Sequence, residues 1–277
     1  MGNLLRALTF LEQNVESELD GERLSGIAEL SRFHFHRQFS KTFGLGVRSY
    51  VEQVRLRRAA FRLAFRPHER ILEIALDSGF ASHEAFARAF KRATGQTPSE
   101  FRRAPRWNEW TERARALSEV RRRHLQSMPP SSEVRVVQRP ATRVIGLPHR
   151  PQHGSFFDSA RRFIEWRKQH RLSPRTTPTF NVMRRDRAGF AFCVGTNRQV
   201  ALEPDMFVDT LPGGRCAVLR HIGDEDALRA KAQWLTADWL GTTRHALRDD
   251  TLVFQRISFF PDVAEREAIT DIILPLG

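Results

Sequence analysis

Cysteine is nearly absent: Cys193 and Cys216 are the only two, and both lie in apolar runs. Two thiols cannot build a four-ligand metal cluster, and in such runs they read as reduced core residues rather than a disulfide. Tyrosine is scarcer still, with Tyr50 alone. No run of about 18 apolar residues occurs, which excludes a membrane-spanning helix. The N-terminal stretch lacks a small-residue cleavage site, so the expectation is a cytoplasmic protein. His149, His153 and His221 have no evident nucleophile near them and no H-E-x-x-H spacing. Catalysis, a metal and a cofactor are therefore not expected.

What is abundant is positive charge. The chain has 277 residues, 45 Lys and Arg against 32 Asp and Glu, a formal charge of +13 and a pI near 11.2. That suits a polyanionic partner, although an arginine-rich proteome would give the same bias. With 40% hydrophobic residues the chain is globular and long enough for two domains.

Residues 71 to 103 carry the most specific pattern. Ile71, Ile74 and Ala75 give a short helix an apolar face, and Asp77-Ser78-Gly79 ends it at a glycine suited to a tight turn. Ser82 caps a second helix on which Phe86 and Phe90 point inward while His83, Glu84, Ala87 and Arg88 face out. Gly95, Thr97 and Pro98 stop it, and Phe101 on the next helix closes the small core. This pattern reads as a helix-turn-helix, the exposed face of whose second helix would lie in a DNA major groove. The unit occurs twice: Ser31, Phe35, Arg37, Phe39 and Gly44 recur 51 residues later as Ser82, Phe86, Arg88, Phe90 and Gly95, and Leu24 and Leu30 correspond to Ile74 and Phe80, 50 residues later.

The run GF-x-S-x-x-x-F-x-R-x-F-K-x-x-x-G-x-T-P-x-x-F-R from Gly79 to Arg102 resembles the signature of the AraC-type regulators. The resemblance implies double-stranded DNA as a partner, makes contact with RNA polymerase plausible, and assigns base reading to the positions of Phe33, His36 and Arg37. The chemistry agrees, since Arg bonds bidentately to guanine and an aromatic edge packs on a thymine methyl. Arg32 shares that outward face, and Lys41 and Arg92 are better placed for phosphates. Phe33 has a second reading, as a partly buried staple, and Glu29 stands where the second unit has Gly79. In the second unit Glu84 can accept from a cytosine amine and Ala87 offers only a methyl contact, so this helix is expected to give position more than sequence.

An amphipathic helix over residues 3 to 19, with Leu4, Leu8, Leu11 and Val15 on one stripe, would cover the first unit. A long helix between Gly46 and Pro67 joins the two. About 19 residues at roughly 1.5 Å each span about 28 Å, enough to hold two recognition helices about one turn of DNA apart. Arg48, Arg55, Arg57, Arg58 and Arg62 on it read mostly as a solvated face.

The N-terminal all-α domain is placed at residues 1 to 104, and a basic helical connector and linker at 105 to 133, with the boundary near Pro129. Residues 134 to 277 turn to short β-rich runs. VRVVQRPATRVIGLPHR gives two strands broken at Pro140, the run from Phe156 a helix, TFNVMRR and AFAFCVG a strand pair. CAVLRHIG, ALRAKAQWLTADWLG, TLVFQRISFF and AITDIILPLG echo this series, with offsets of 72 to 74 for His149/His221, Trp166/Trp239 and Phe180/Phe254. The expected fold is α+β: a duplicated β-α-β-β antiparallel sheet with helices on one face.

Its markers, His221-x-Gly223, the Trp234 and Trp239 pair and the closing T-D-I-I-L-P-L, resemble the GyrI-like small-molecule-binding domain. The resemblance implies an effector held between the two units by aromatics and the glutamate of an F-E-x-Y motif. Here that motif is Phe254-Gln255-Arg256-Ile257. A buried carboxylate is what would pair with a cationic ligand, so neutral Gln255 implies a neutral or anionic effector. Phe156, Trp166, Asn181, Trp234, Phe254 and Gln255 are the candidate ligand residues, although large aromatics at these spacings are equally readable as core. The leading expectation is a ligand-responsive transcription regulator. A DNA binder whose C-terminal half is a protein-interaction module, and a GyrI-like hydrolase, stay open as alternatives, as do the monomer and the homodimer.

Overall fold

A computed structural model describes residues 2–15, 20–107, 131–184, 189–263 and 265–277. The connector helix and linker expected between 108 and 130 lie outside the described residues, as does the end of the first helix from 16 to 19. The chain divides into two compact units, residues 1–126 and 127–277.

The first unit is all helix: α1 (Gly2–Gln13), α2 (Gly21–Ile27), α3 (Arg32–Phe43), α4 (Val47–Phe65), α5 (Ile71–Asp77), α6 (His83–Thr94) and α7 (Pro98–Arg103). Each helix-turn-helix starts its second helix on a serine: the Ser31 and Ser82 hydroxyls accept from the His34 and Ala85 backbone N–H groups. Each ends it on a left-handed glycine, Gly44 at φ 73° and Gly95 at φ 77°. Phe35, Phe39 and Phe43 form one buried aromatic stripe, with the Tyr50 ring edge-on to Phe39. Phe86, Phe90 and Phe101 form the other. Burying each such ring contributes about 1.5–3 kcal/mol. Leu4, Leu8, Leu11 and Val15 close the first core as their spacing predicts. Trp107, expected in the connector, is buried in the second core against Phe61, Phe65 and Phe101.

The arginines of α4 correct one expectation. Rather than facing solvent, Arg55 donates to the Val15 carbonyl at 2.6 Å and to the Gly79 carbonyl at 2.9 Å. Buried Arg58 donates to the Glu12 carbonyl, and Arg62 bonds Glu69 at 2.7 Å and Asp77 at 2.8 Å. These side chains satisfy backbone and carboxylate groups where helices meet, which amphipathic periodicity alone does not reveal.

The second unit is one eight-stranded antiparallel sheet of β1 (Arg135–Arg139), β2 (Thr142–His149), β3 (Thr179–Arg184), β4 (Gly189–Gly195), β5 (Phe207–Leu211), β6 (Gly214–Ile222), β7 (Thr251–Ser258) and β8 (Ile269–Pro275). Its order is β1-β6-β8-β7-β3-β4-β2-β5. Helix α8 (Phe156–Gln169) packs on β2 and α9 (Glu225–Trp234) on β6. The strand β5 is absent from the sequence expectation, although FVDTLPG stands to CAVLRHIG as RVVQRPA stands to RVIGLPHR.

The duplication is reciprocal. β1 pairs with β6 of the second repeat, and β5 with β2 of the first. In a flat sheet β1 and β2 would stand six strand spacings apart, about 29 Å. Yet only Pro140 and Ala141 join them, a reach of about 11 Å. The sheet must therefore curl until its edges meet. There the two short links touch: a Cβ on Gly213 would come within 2.5 Å of the Ala141 backbone N. The concave side carries Val144, Phe180, Val182, Cys193, Cys216, Val253 and Ile273, and the helices cover the other side. The register corrects the echo of Phe180 with Phe254. Phe180 faces the concave side with Val253, while Phe254 lies opposite Asn181 on the helix-bearing side, so the repeat offset here is one residue shorter.

Two stability effects follow from backbone geometry. Glu29, at the position of Gly79, takes the left-handed conformation itself, at φ 56°. Its ion pair with Arg6 is exposed and contributes little. Glu29→Gly is expected to raise stability by up to about 1 kcal/mol, read as a higher urea midpoint; a lower one would contradict strain at this turn. Gly213→Ala is expected to cost about 1–3 kcal/mol, because its methyl meets backbone that cannot rotate away. An unchanged midpoint would mean that the links do not cross so closely.

Candidate nucleic-acid interface and effector cavity

The outward faces of α3 and α6 are built alike. On α3, Arg32, Phe33, His36, Arg37 and Lys41 are exposed, and Phe33 is 71% accessible, which removes its reading as a buried staple. On α6, His83, Glu84 and Arg88 are exposed and Ala87 is half-buried. Glu84 lies in the first helical turn, where its own backbone N–H, then Ser82, hold its carboxyl below the ordinary range. It is thus an ionised acceptor on an otherwise basic face, suited to an amine and repelled by phosphate. Arg92 is paired with Glu52 of α4, and Lys41 has no such pairing among the described residues.

In the second unit the candidate ligand residues are not brought together. Phe156 and Trp166 belong to the cluster under α8, and Trp234 and Phe254 to the cluster under α9. Asn181 lies between them, its carbonyl oxygen accepting from Arg256 Nε at 2.7 Å, while Arg256 also grips Glu225. Trp166 is 2% and Phe254 6% exposed. Gln255, one residue on, faces the concave side beside Phe180 and accepts from Arg139 Nη2 at 2.6 Å. Strand alternation was the signal that separates Gln255 from Phe254. A cavity of about 30 Å³ on that side is lined by Arg139, Phe180, Leu211, Cys216, Val253 and Ile273 among others. Both cysteines are free, and burial pushes the Cys193 thiol up to about 12. Among the described residues no cluster of three or more His, Cys, Asp or Glu is placed to hold a metal, and no helix is long and apolar enough to cross a membrane.

Two family profiles match this chain: a helix-turn-helix domain over residues 24–104 and the GyrI-like small molecule binding domain over residues 132–276. The chain belongs to the GyrI-like family.

The helix-turn-helix region in front of this GyrI-like domain is of the AraC type. It is 36% identical over 97 residues to the uncharacterized HTH-type transcriptional regulator YbfP of Bacillus subtilis (strain 168), covering 35% of this chain and 32% of that protein. It is 36% identical over 103 residues to the right origin-binding protein of Escherichia coli (strain K12), covering 36% of this chain and 35% of that one. The matched part thus spans about a third of the length of these curated relatives. A solved AraC-type transcriptional regulator from Chromobacterium violaceum aligns at 27% identity over 38% of this chain and 93% of that chain, with a TM-score of 0.35.

Each repeat of the GyrI-like domain carries a histidine at the same strand end. His149 Nδ1 bonds the Ser159 hydroxyl at 3.0 Å, and His221 Nε2–H donates to the Asp224 carbonyl at 2.9 Å, its buried Nδ1 left without a partner. Burial lowers both imidazoles below their ordinary value. The unfolded chain then takes up protons first, so stability present above about pH 6.5 is lost as pH falls towards the folded values. The urea midpoint of this unit is expected to drop between pH 7.5 and pH 5.5, and less steeply in His221→Gln. An identical slope in that variant would remove His221 as the titrating group.

Proposed function

We propose that the chain is a sequence-specific transcription regulator that reads two successive major grooves with α3 and α6, modulated by a neutral or anionic small molecule in its C-terminal domain. The observation that carries this is the pair of serine-capped, glycine-terminated 12-residue helices flanking the 19-residue α4, each presenting polar and charged side chains outward. Arg32, Phe33, His36 and Arg37 read bases from α3; His83, Glu84, Ala87 and Arg88 contribute from α6; Lys41 contacts phosphate, with Arg92 divided between phosphate and Glu52. RNA polymerase is the proposed protein partner. The chain acts without catalysis, in keeping with relatives that are named as transcriptional regulators.

The effector class rests on Gln255, which brings no carboxylate to the concave side and meets a guanidinium instead. Tight binding of lipophilic cations would refute it. A second reading, a protein-interaction module without an effector, is favoured by the small cavity and by the burial of Trp166 and Phe254.

Selection of bound duplexes from a random DNA pool at two salt concentrations tests the main reading. One asymmetric motif with two sub-sites about a turn apart supports it; binding that enriches nothing and vanishes at moderate salt would mean that charge alone acts. Arg37→Ala is expected to weaken specific binding by roughly 1–3 kcal/mol and to relax one position of the motif. Equal losses on random DNA would make Arg37 a phosphate contact.

A further inference from the structure

Arginines on and around the concave side of the curled sheet fall into two kinds. Arg184 pairs with Asp209 at 2.8 Å, and Arg220 grips both oxygens of Asp271 at 2.8 and 2.9 Å. Arg139 and Arg248 have no carboxylate partner among the described residues. Arg139 meets only the neutral Gln255, and it lines the cavity. Arg248 donates one Nη1–H to the Gly213 carbonyl, while its Nε and Nη2 are buried and unpartnered. The Asp249 carboxylate beside it is turned to its own chain and accepts from the Thr251 N–H at 2.9 Å.

Both arginines lie near Cys216: Arg139 lines the cavity with it, and the Arg248 backbone N–H donates to the carbonyl of Pro275, a cavity residue and the strand partner of Cys216. Cys216 lines the cavity, and its thiol is pushed up by burial, pulled back by Arg248 and by Arg139, and raised slightly by the Asp249 carboxylate. A buried donor without an acceptor destabilises a fold unless something else supplies the acceptor. Cationic donors in and beside a largely apolar cavity select an oxyanion, whose oxygens accept several charge-assisted bonds at once. A space of about 30 Å³ holds one water-sized group, so it admits one oxygen of such a head and the remainder lies outside it.

We propose that Arg139 and Arg248 form an anion site beside Cys216, which takes the carboxylate or phosphate head of the effector. This rests on the reading of the C-terminal domain as a small-molecule binder and narrows its ligand to an anion. Gln255 holds Arg139 without neutralising it, which a glutamate at that position would do. Neutral ligands leave both positive charges uncompensated, and cationic ones are repelled.

The test is calorimetric titration of the full chain with benzoate, inorganic phosphate, benzamide and benzamidine, in wild type, Arg139→Gln, Arg248→Gln and the charge-keeping Arg248→Lys, with DNA binding measured alongside. At least one of the two anions should bind once per chain, about tenfold or more tighter than benzamide, and which one binds separates a carboxylate from a phosphate head. Each Gln variant should weaken that binding by about tenfold, and Arg248→Lys by less. Arg248→Gln, relieved of two unsatisfied donors, should unfold at no lower urea concentration than wild type. Benzamide or benzamidine binding as tightly as the anions, or failure of both anions to bind, overturns the site. Anion binding that changes DNA affinity and survives in both Gln variants would keep the effector reading and remove this site. Silence of all four probes, in binding and in DNA affinity, would remove both.

Discussion

One guanidinium ties the helical unit together. Arg55, on the helix shared by both helix-turn-helix motifs, donates to the carbonyl of Val15 before the first motif and to that of Gly79 in the turn of the second. Arg58 and Arg62 act in the same way on either side, on the Glu12 carbonyl and on Glu69 and Asp77. The length of α4 sets the spacing of α3 and α6, and these bonds hold the turns against that helix. Two small aromatic cores that would each be marginal alone thereby share one rigid spacer.

The second unit depends on a different constraint, the shortness of two links. Two residues after β1 and two after β5 force the sheet edges together, and the sheet curls because the chain cannot reach otherwise. The curl creates a concave interior distinct from the helix-covered exterior. It also puts Gln255, Arg139 and Cys216 on the inside and Asn181, Phe254 and Trp166 on the outside.

Much of this was legible in the chain. The serine caps, the phenylalanine stripes, the glycine ends and the repeat at 51 residues are local, and local rules govern them. The exposed face of α3 followed from the same periodicity, because a helix with one apolar stripe leaves the rest to solvent. The arginines of α4 were less legible: whether a long cationic side chain is solvated or folded back onto a carbonyl depends on what stands beside it, 24 to 40 residues away in sequence. Trp107 looked like connector for the same reason, since its partners on α4 and α7 are distant in sequence. The alignment of the two repeats was off by one residue at Phe180, and with a side-chain period of two a single step exchanges the faces.

Sequence alone therefore determined the domain types, the second helix of each helix-turn-helix and its outward residues, because these rest on periodicity and capping within a dozen residues. Only the tertiary structure decided which strands exchange between the repeats, which side of the sheet each polar residue faces, and which arginines find a carboxylate. Those outcomes depend on chain reach and on partners far apart in sequence, to which local pattern is blind.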